Sequence, residues 1–168
     1  MANETMKTNE QQWVLSVLVQ NRFGVLSHVA GLFATRGYNI DSLAVGETHD
    51  PTISRMTIVT RGDERVIDLI VKQLNRLCDV IEVKNLNYEA GFVERELCLI
   101  KVQCEPKNRV ELFNILLAFE AKVQDFRVST VTVELSASAS KINALIEILR
   151  PFGIVELART GRVALKRG

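Results

Sequence analysis

An apolar, β-branched run over residues 12–19 predicts a strand that stops at Asn21. Gly24 then opens an amphipathic stretch, 24–36, in which Val25, Leu26, Val29, Leu32 and Phe33 share one helical face and Gly37 marks the end. A strand follows over 38–48, then a turn at His49-Asp50-Pro51, where proline presets the bend, and a second strand over 53–61. Gly62-Asp63 reads as a turn with Asp63 as helix cap, ahead of a stripe of Val66, Ile67, Ile70, Val71, Leu74 and Leu77. A closing strand starts over 80–83. The order is βαββαβ.

The second half repeats that order. A strand over 97–103 leads to Pro106, placed where a first-turn proline belongs, and to a helix carrying Val110, Phe113 and Leu117. Strands over 121–127 and 130–135 pair next. Ile142, Leu145, Ile146 and Leu149 mark a helix that stops at Pro151, and 153–158 is the last core strand. Between the halves, residues 87–96 hold Gly91 and three glutamates and suit a polar joint. The expected class is α+β, with a polar lead-in over 1–11, one ferredoxin-like βαββαβ unit over 12–86, the joint over 87–96 and a second unit over 97–168. Such a unit covers one face of its sheet with helices and leaves the other face and the edges open, so a homodimer is expected.

The stretch QNRFGVLSHVAGLFATRGYNIDS (20–42) carries the candidate chemistry. A strand feeding a glycine-led helix leaves backbone N–H groups free at the helix start, which suits a small carboxylate. Gly24 has no Cβ, so a carboxylate can approach the N–H groups of Gly24, Val25 and Leu26. Asn21 precedes the helix and Asn39 follows it, and a side-chain amide can serve either end of an amino-acid zwitterion. From these residues alone, Gly24 as a turn residue and Asn21 as a helix cap fit equally well, and an ordinary helix-exit residue is the favoured reading of Asn39.

Composition narrows the picture. Twenty-one basic against twenty acidic residues give a net charge of +1, so no global field favours nucleic acid or a membrane surface. The first ten residues lack the apolar core of a secretion signal, and no apolar run approaches the roughly 20 residues that span a bilayer. Cys78, Cys98 and Cys104 include no CxxC pair, which suits reduced thiols in a cytoplasmic protein. His28 and His49 stand apart from any metal-ligand spacing, no phosphate-loop signature occurs, and Arg61-Gly62-Asp63 reads as a turn and a cap. No catalytic cluster is expected. The basic end (Arg159, Arg162, Lys166, Arg167) reads as a solvated face, with docking to a partner as its alternative.

Asn21, Gly24 and RGYNIDSLAVG (36–46) resemble an ACT domain, an amino-acid-binding regulatory module. Taken as far as RGYNIDSLAVGETHDPTISRMTIVTRGD (36–63), with VERELCLIKV (93–102) and GIVELARTGRVAL (153–165), the chain is similar to the regulatory small subunit of acetolactate synthase. The resemblance implies an ACT unit followed by an ACT-like one, without chemistry of its own. It implies a large catalytic subunit as partner, which carries thiamine diphosphate, Mg²⁺ and FAD, and which the small subunit activates and makes sensitive to valine. It also implies that valine sits between the ACT domains of two protomers. Asn21, Phe23, Gly24, Val25 and Leu26 would come from one chain and Asn39 and Ile40 from the other, with Val25 and Ile40 as the apolar wall. Phe23 stands where relatives often carry a small or polar residue. Two rivals are a free-standing amino-acid sensor, such as a transcriptional regulator, and a ferredoxin-like enzyme. The first lacks a helix-turn-helix and a basic surplus, and the second lacks convergent titratable groups.

Overall fold

The computed structural model describes residues 11–168. The lead-in expected over 1–11 lies outside the described residues except for Gln11, which opens the first strand. The chain divides into two compact units, one formed by the described residues up to Phe92 with Ala164–Gly168 and the other by Val93–Val163.

The first unit runs β1 (Gln11–Gln20), α1 (Val25–Arg36), β2 (Ile40–Glu47), β3 (Ile53–Gly62), α2 (Glu64–Leu74) and β4 (Val80–Asn85). Its antiparallel sheet has the order β2-β3-β1-β4, which leaves β2 and β4 at the edges. Alternation along β1 sends Trp13, Leu15, Val17 and Val19 into a core with Val25, Val29 and Phe33 of α1 and Ile67, Ile70 and Leu74 of α2. Each such side chain contributes roughly 1.5–3 kcal/mol when fully buried. Asp63 caps α2 as expected, its carboxylate accepting from the Val66 N–H at 2.9 Å. Gly37 ends α1 at φ 70°, and the Tyr38 N–H reaches back to the Phe33 carbonyl at 2.9 Å. Tyr38 and Asn39 therefore belong to the helix exit, and the strand expected from 38 starts at Ile40.

The far face of this sheet is not left bare. Val14 and Val59, which alternate away from the helices, form a second small core with Leu86 and Ala164, against which Phe92 packs. The Asn87 side chain accepts from the Val14 N–H at 2.8 Å, continuing the ladder past the end of β4.

The second unit runs β5 (Phe92–Gln103), α3 (Arg109–Phe119), β6 (Lys122–Phe126), β7 (Thr130–Ala137), α4 (Ala139–Leu149) and β8 (Ile154–Arg159), with sheet order β6-β7-β5-β8. A last strand, β9 (Val163–Lys166), also pairs with β5. Pro106 opens a short 3-10 turn, Pro106–Asn108, that leads into α3. The core joins Cys98, Ile100 and Val102 of β5 to Val131, Val133 and Leu135 of β7 and to both helices.

The helix expected at Val110, Phe113 and Leu117 is present as α3, and Val110 and Leu117 lie on its outer face, 74% and 78% exposed, while Leu112 and Leu116 are buried at 0% and 2%. This helix is apolar almost all round, so periodicity does not select a face. The polar stretch 87–96 is also largely regular structure, holding most of a 3-10 turn at Leu86–Tyr88 and the first five residues of β5. Its glutamates are consumed by the basic end of the chain. Glu89 pairs with Lys166, Glu94 with Arg162 and Glu96 with Arg159. Three of the four cations expected on a solvated face therefore have carboxylate partners.

Candidate functional site

The junction between β1 and α1 forms the first half of the candidate site. Gly24 is the residue before α1, with φ 83° and ψ −15°, a left-handed conformation that glycine adopts without strain. No side chain caps this end of α1, and its first turn carries no acidic residue. The first N–H groups of a helix have no partner within it, so this terminus has the donors and the positive dipole end that a carboxylate needs. A Cβ at Gly24 would meet only ring atoms of His28, at 3.9 Å. His28 is in turn paired through Nδ1 with Asp79, at 3.1 Å.

Asn21 does not cap the helix. Its backbone N–H donates to the Thr52 carbonyl at 2.7 Å. Its side-chain nitrogen donates to Glu47 Oε1 at 3.0 Å and to the Pro51 carbonyl at 2.9 Å. Those acceptors belong to the end of β2 and the turn after it, so the hairpin holds Asn21 against the start of α1.

The neighbouring apolar residues divide by exposure. Phe23 is fully exposed and Leu26 is 47% exposed, whereas Val25 is 3% exposed and packed in the core. Val25 therefore offers this surface only its backbone, and the exposed apolar side chains beside Gly24 are those of Phe23 and Leu26. The reason is helical phase: Val25 shares the inward face with Val29 and Phe33, one and two turns on.

Asn39 and Ile40 lie elsewhere. Ile40 is half-buried against the first core and is paired with Thr60, which pairs with Trp13 near the start of β1; Gln20, at the end of β1, pairs with Ile53. Ile53 and Thr60 are seven positions apart on β3, which is about 24 Å of strand. One protomer thus holds Asn21 and Gly24 at one end of its sheet and Asn39 and Ile40 at the other.

Around Asn39 the structure adds residues that sequence reasoning passed over. Asn39 Nδ2 donates to Asp41 Oδ1 at 2.8 Å. Arg61 Nε and Gln12 Nε2 donate to Asp41 Oδ2 at 2.6 and 3.3 Å. Partial burial raises the Asp41 carboxyl, but hydrogen bonds from Arg61, Asn39 and Gln12 outweigh it and hold the group below its ordinary value. The spacing Asn-x-Asp is the available signal, since an amide two residues from a carboxylate can pair locally. Nothing in the linear order points to Glu47 or Arg61. Among the described residues no cluster of His, Cys, Asp or Glu could hold a metal ion.

The model for the small subunit of acetolactate synthase matches residues 95–168, and the model for the AHAS small subunit-like ACT domain matches residues 15–82. The chain belongs to the acetolactate synthase small-subunit family. The probable acetolactate synthase small subunit of Methanothermobacter thermautotrophicus is 47% identical, over 92% of both chains. The acetolactate synthase isozyme 3 small subunit of Escherichia coli is 46% identical over 92% of this chain and 95% of its own. The crystal structure of the acetolactate synthase small subunit from Thermotoga maritima superposes with a TM-score of 0.87 at 37% identity, covering 94% of this chain and 98% of the other. Both units are therefore those of a regulatory subunit of acetolactate synthase, whose partner is the catalytic subunit. The start of α1 and Asn39 both lie within the stretch matched as its ACT domain.

Proposed function

We propose that this small subunit activates the large catalytic subunit and confers feedback inhibition by valine, which binds between the ACT units of two protomers. The observation that carries this reading is the separation of the two half-sites, about 24 Å along one sheet, too far apart for one small ligand to bridge within a chain. Strand β2 is an edge of its sheet, with backbone groups available to a second copy. Antiparallel pairing of β2 with β2 of another protomer sets the start of one strand beside the end of the other. That brings Asn39 and Ile40 of one protomer to Asn21, Phe23, Gly24 and Leu26 of its partner, and by symmetry completes two sites per dimer.

Valine's carboxylate then meets the N-terminus of α1, and its side chain meets Phe23, Leu26 and Ile40. A ligand that bridges two protomers favours the dimer arrangement in which both halves meet, with a coupling of about 1–3 kcal/mol to catalytic-subunit activity. Thiamine diphosphate, Mg²⁺ and FAD belong, on this reading, to the catalytic subunit, and the complex works in the cytoplasm in branched-chain amino-acid synthesis. Neither nucleic acid nor membrane enters the reading.

Mixing tests it. The purified chain forms no acetolactate alone, raises the activity of a thiamine-dependent catalytic subunit, and makes that activity fall on addition of valine. Failure to stimulate any such subunit favours a free-standing sensor.

A further inference from the structure

Both asparagines of the half-sites have their amides oriented by carboxylates of their own chain. An unsupported Asn can present either its C=O or its NH₂, because the two ends are nearly equal in shape. Asn21 has no such choice. Its nitrogen faces Glu47 Oε1 and the Pro51 carbonyl, two acceptors that use both of its hydrogens. Turned over, its Oδ1 would confront both acceptors without a proton between them. Asn39 is held by Asp41 Oδ1, and Asp41 is itself anchored through its other oxygen by Arg61 and Gln12. Each nitrogen is thus directed toward its own chain, which leaves each Oδ1 on the opposite side of its amide.

We infer that Asp41 and Glu47 are positioning residues that make the site read the ammonium group of its ligand: they fix Asn39 and Asn21 so that both present carbonyl oxygens. This rests on the amino-acid reading of the site given above. The two ends of the ligand are then sorted by opposite fields. The N-terminus of α1, with its positive dipole end and no acidic residue in the first turn, takes the carboxylate. The amide oxygens, held outward by Asp41 and Glu47, take the ammonium. A 2-oxo acid with the same side chain has no ammonium to offer and meets only acceptors. The site accepts an amino acid and rejects the oxo acid to which transamination relates it.

The two asparagines are not held equally. Asn21 has two acceptors, so Glu47→Gln leaves the Pro51 carbonyl and a side-chain oxygen in place. Asn39 depends on one carboxylate: in Asp41→Asn the single remaining side-chain oxygen is claimed by Arg61 and Gln12, so the new NH₂ faces Asn39 and its amide turns its own NH₂ toward the ligand.

The test is calorimetric titration of the full chain with valine and with 3-methyl-2-oxobutanoate. Wild type is expected to favour valine strongly. Asp41→Asn should weaken valine about tenfold while leaving the oxo acid unchanged or tighter, and Glu47→Gln should narrow the preference less than threefold. Asn39→Ala, which removes the carbonyl and leaves Asp41 paired with Arg61, should also weaken valine alone; it carries the test if Asp41→Asn melts early. Equal loss of both ligands in Asp41→Asn and Asn39→Ala overturns the inference, because Asn39 would then be reading the carboxylate both share. Gly24→Asp separates the two levels of the argument. If it leaves valine binding intact, the site itself is misplaced and both proposals fall. If it abolishes valine binding while the preference is unmoved in Asp41→Asn, only the orientation is wrong.

Discussion

Arg159 holds the buried carboxylate of Glu96 with two hydrogen bonds, Nε to Oε1 at 2.6 Å and Nη2 to Oε2 at 2.8 Å. Asn143 Oδ1 accepts from the third guanidinium nitrogen at 3.0 Å. The Glu96 side chain is 6% exposed, so removing its cation leaves a charge with no water to replace it. Arg159→Met should destabilise the chain by about 2 kcal/mol, less than for a fully buried pair because the guanidinium is partly wet. Adding Glu96→Met should recover most of that loss. Urea unfolding of the two variants decides it, and equal instability of single and double variants would falsify the pairing argument.

The two faces of α3 make opposite predictions. Leu116→Ala removes a side chain from the second core and should cost about 2–5 kcal/mol. Leu117→Ala, one residue along, faces solvent and should stay within about 0.5 kcal/mol of wild type. Chemical denaturation of both variants checks the helical phase directly.

At Gly24 the backbone φ of +83° admits aspartate better than most residues, and a Cβ meets nothing nearer than the His28 ring at 3.9 Å. Gly24→Asp should therefore fold, with a melting temperature within a few degrees of wild type. Its carboxylate would stand where the ligand's carboxylate is expected, so valine inhibition of the assembled complex should shift to at least about tenfold higher concentration.

Asp41 makes a pH-dependent contribution whose sign is set by its partners. Because its folded value lies below the ordinary 3.8, it stabilises the fold at pH above the unfolded value and loses that effect as pH falls through the folded one. The stability gap between wild type and Asp41→Asn should be constant above about pH 5 and shrink below about pH 4. Denaturation series across that range measure it, and a gap that widens toward acid contradicts the assignment.

Of the three thiols, Cys78 is exposed while Cys98 and Cys104 are buried. Burial pushes the Cys98 thiol up, more than the neighbouring Arg159 lowers it. A thiol-reactive dye should label one cysteine per chain in the native state and all three in denaturant.

Periodicity and local chemistry alone determined the βαββαβ order of each half, because strand alternation, the Asp63 cap and the Gly37 exit are interactions within a few residues of one another. They also marked Asn21, Gly24 and Asn39 as the residues able to meet a zwitterion. Which face of α3 turns inward was open, since a helix apolar all round satisfies any phase until a sheet is laid against it. The glutamates of 87–96 read as a joint because their cations lie some seventy positions away in sequence, and only the closing of β8 and β9 onto the chain joins them. The same holds at the site. That Asn21 and Asn39 stand at opposite ends of one sheet, and that Glu47 lies against Asn21, follows from strand register, whereas Asp41 meets Asn39 locally, two residues on. Register is a long-range choice that no local pattern contains.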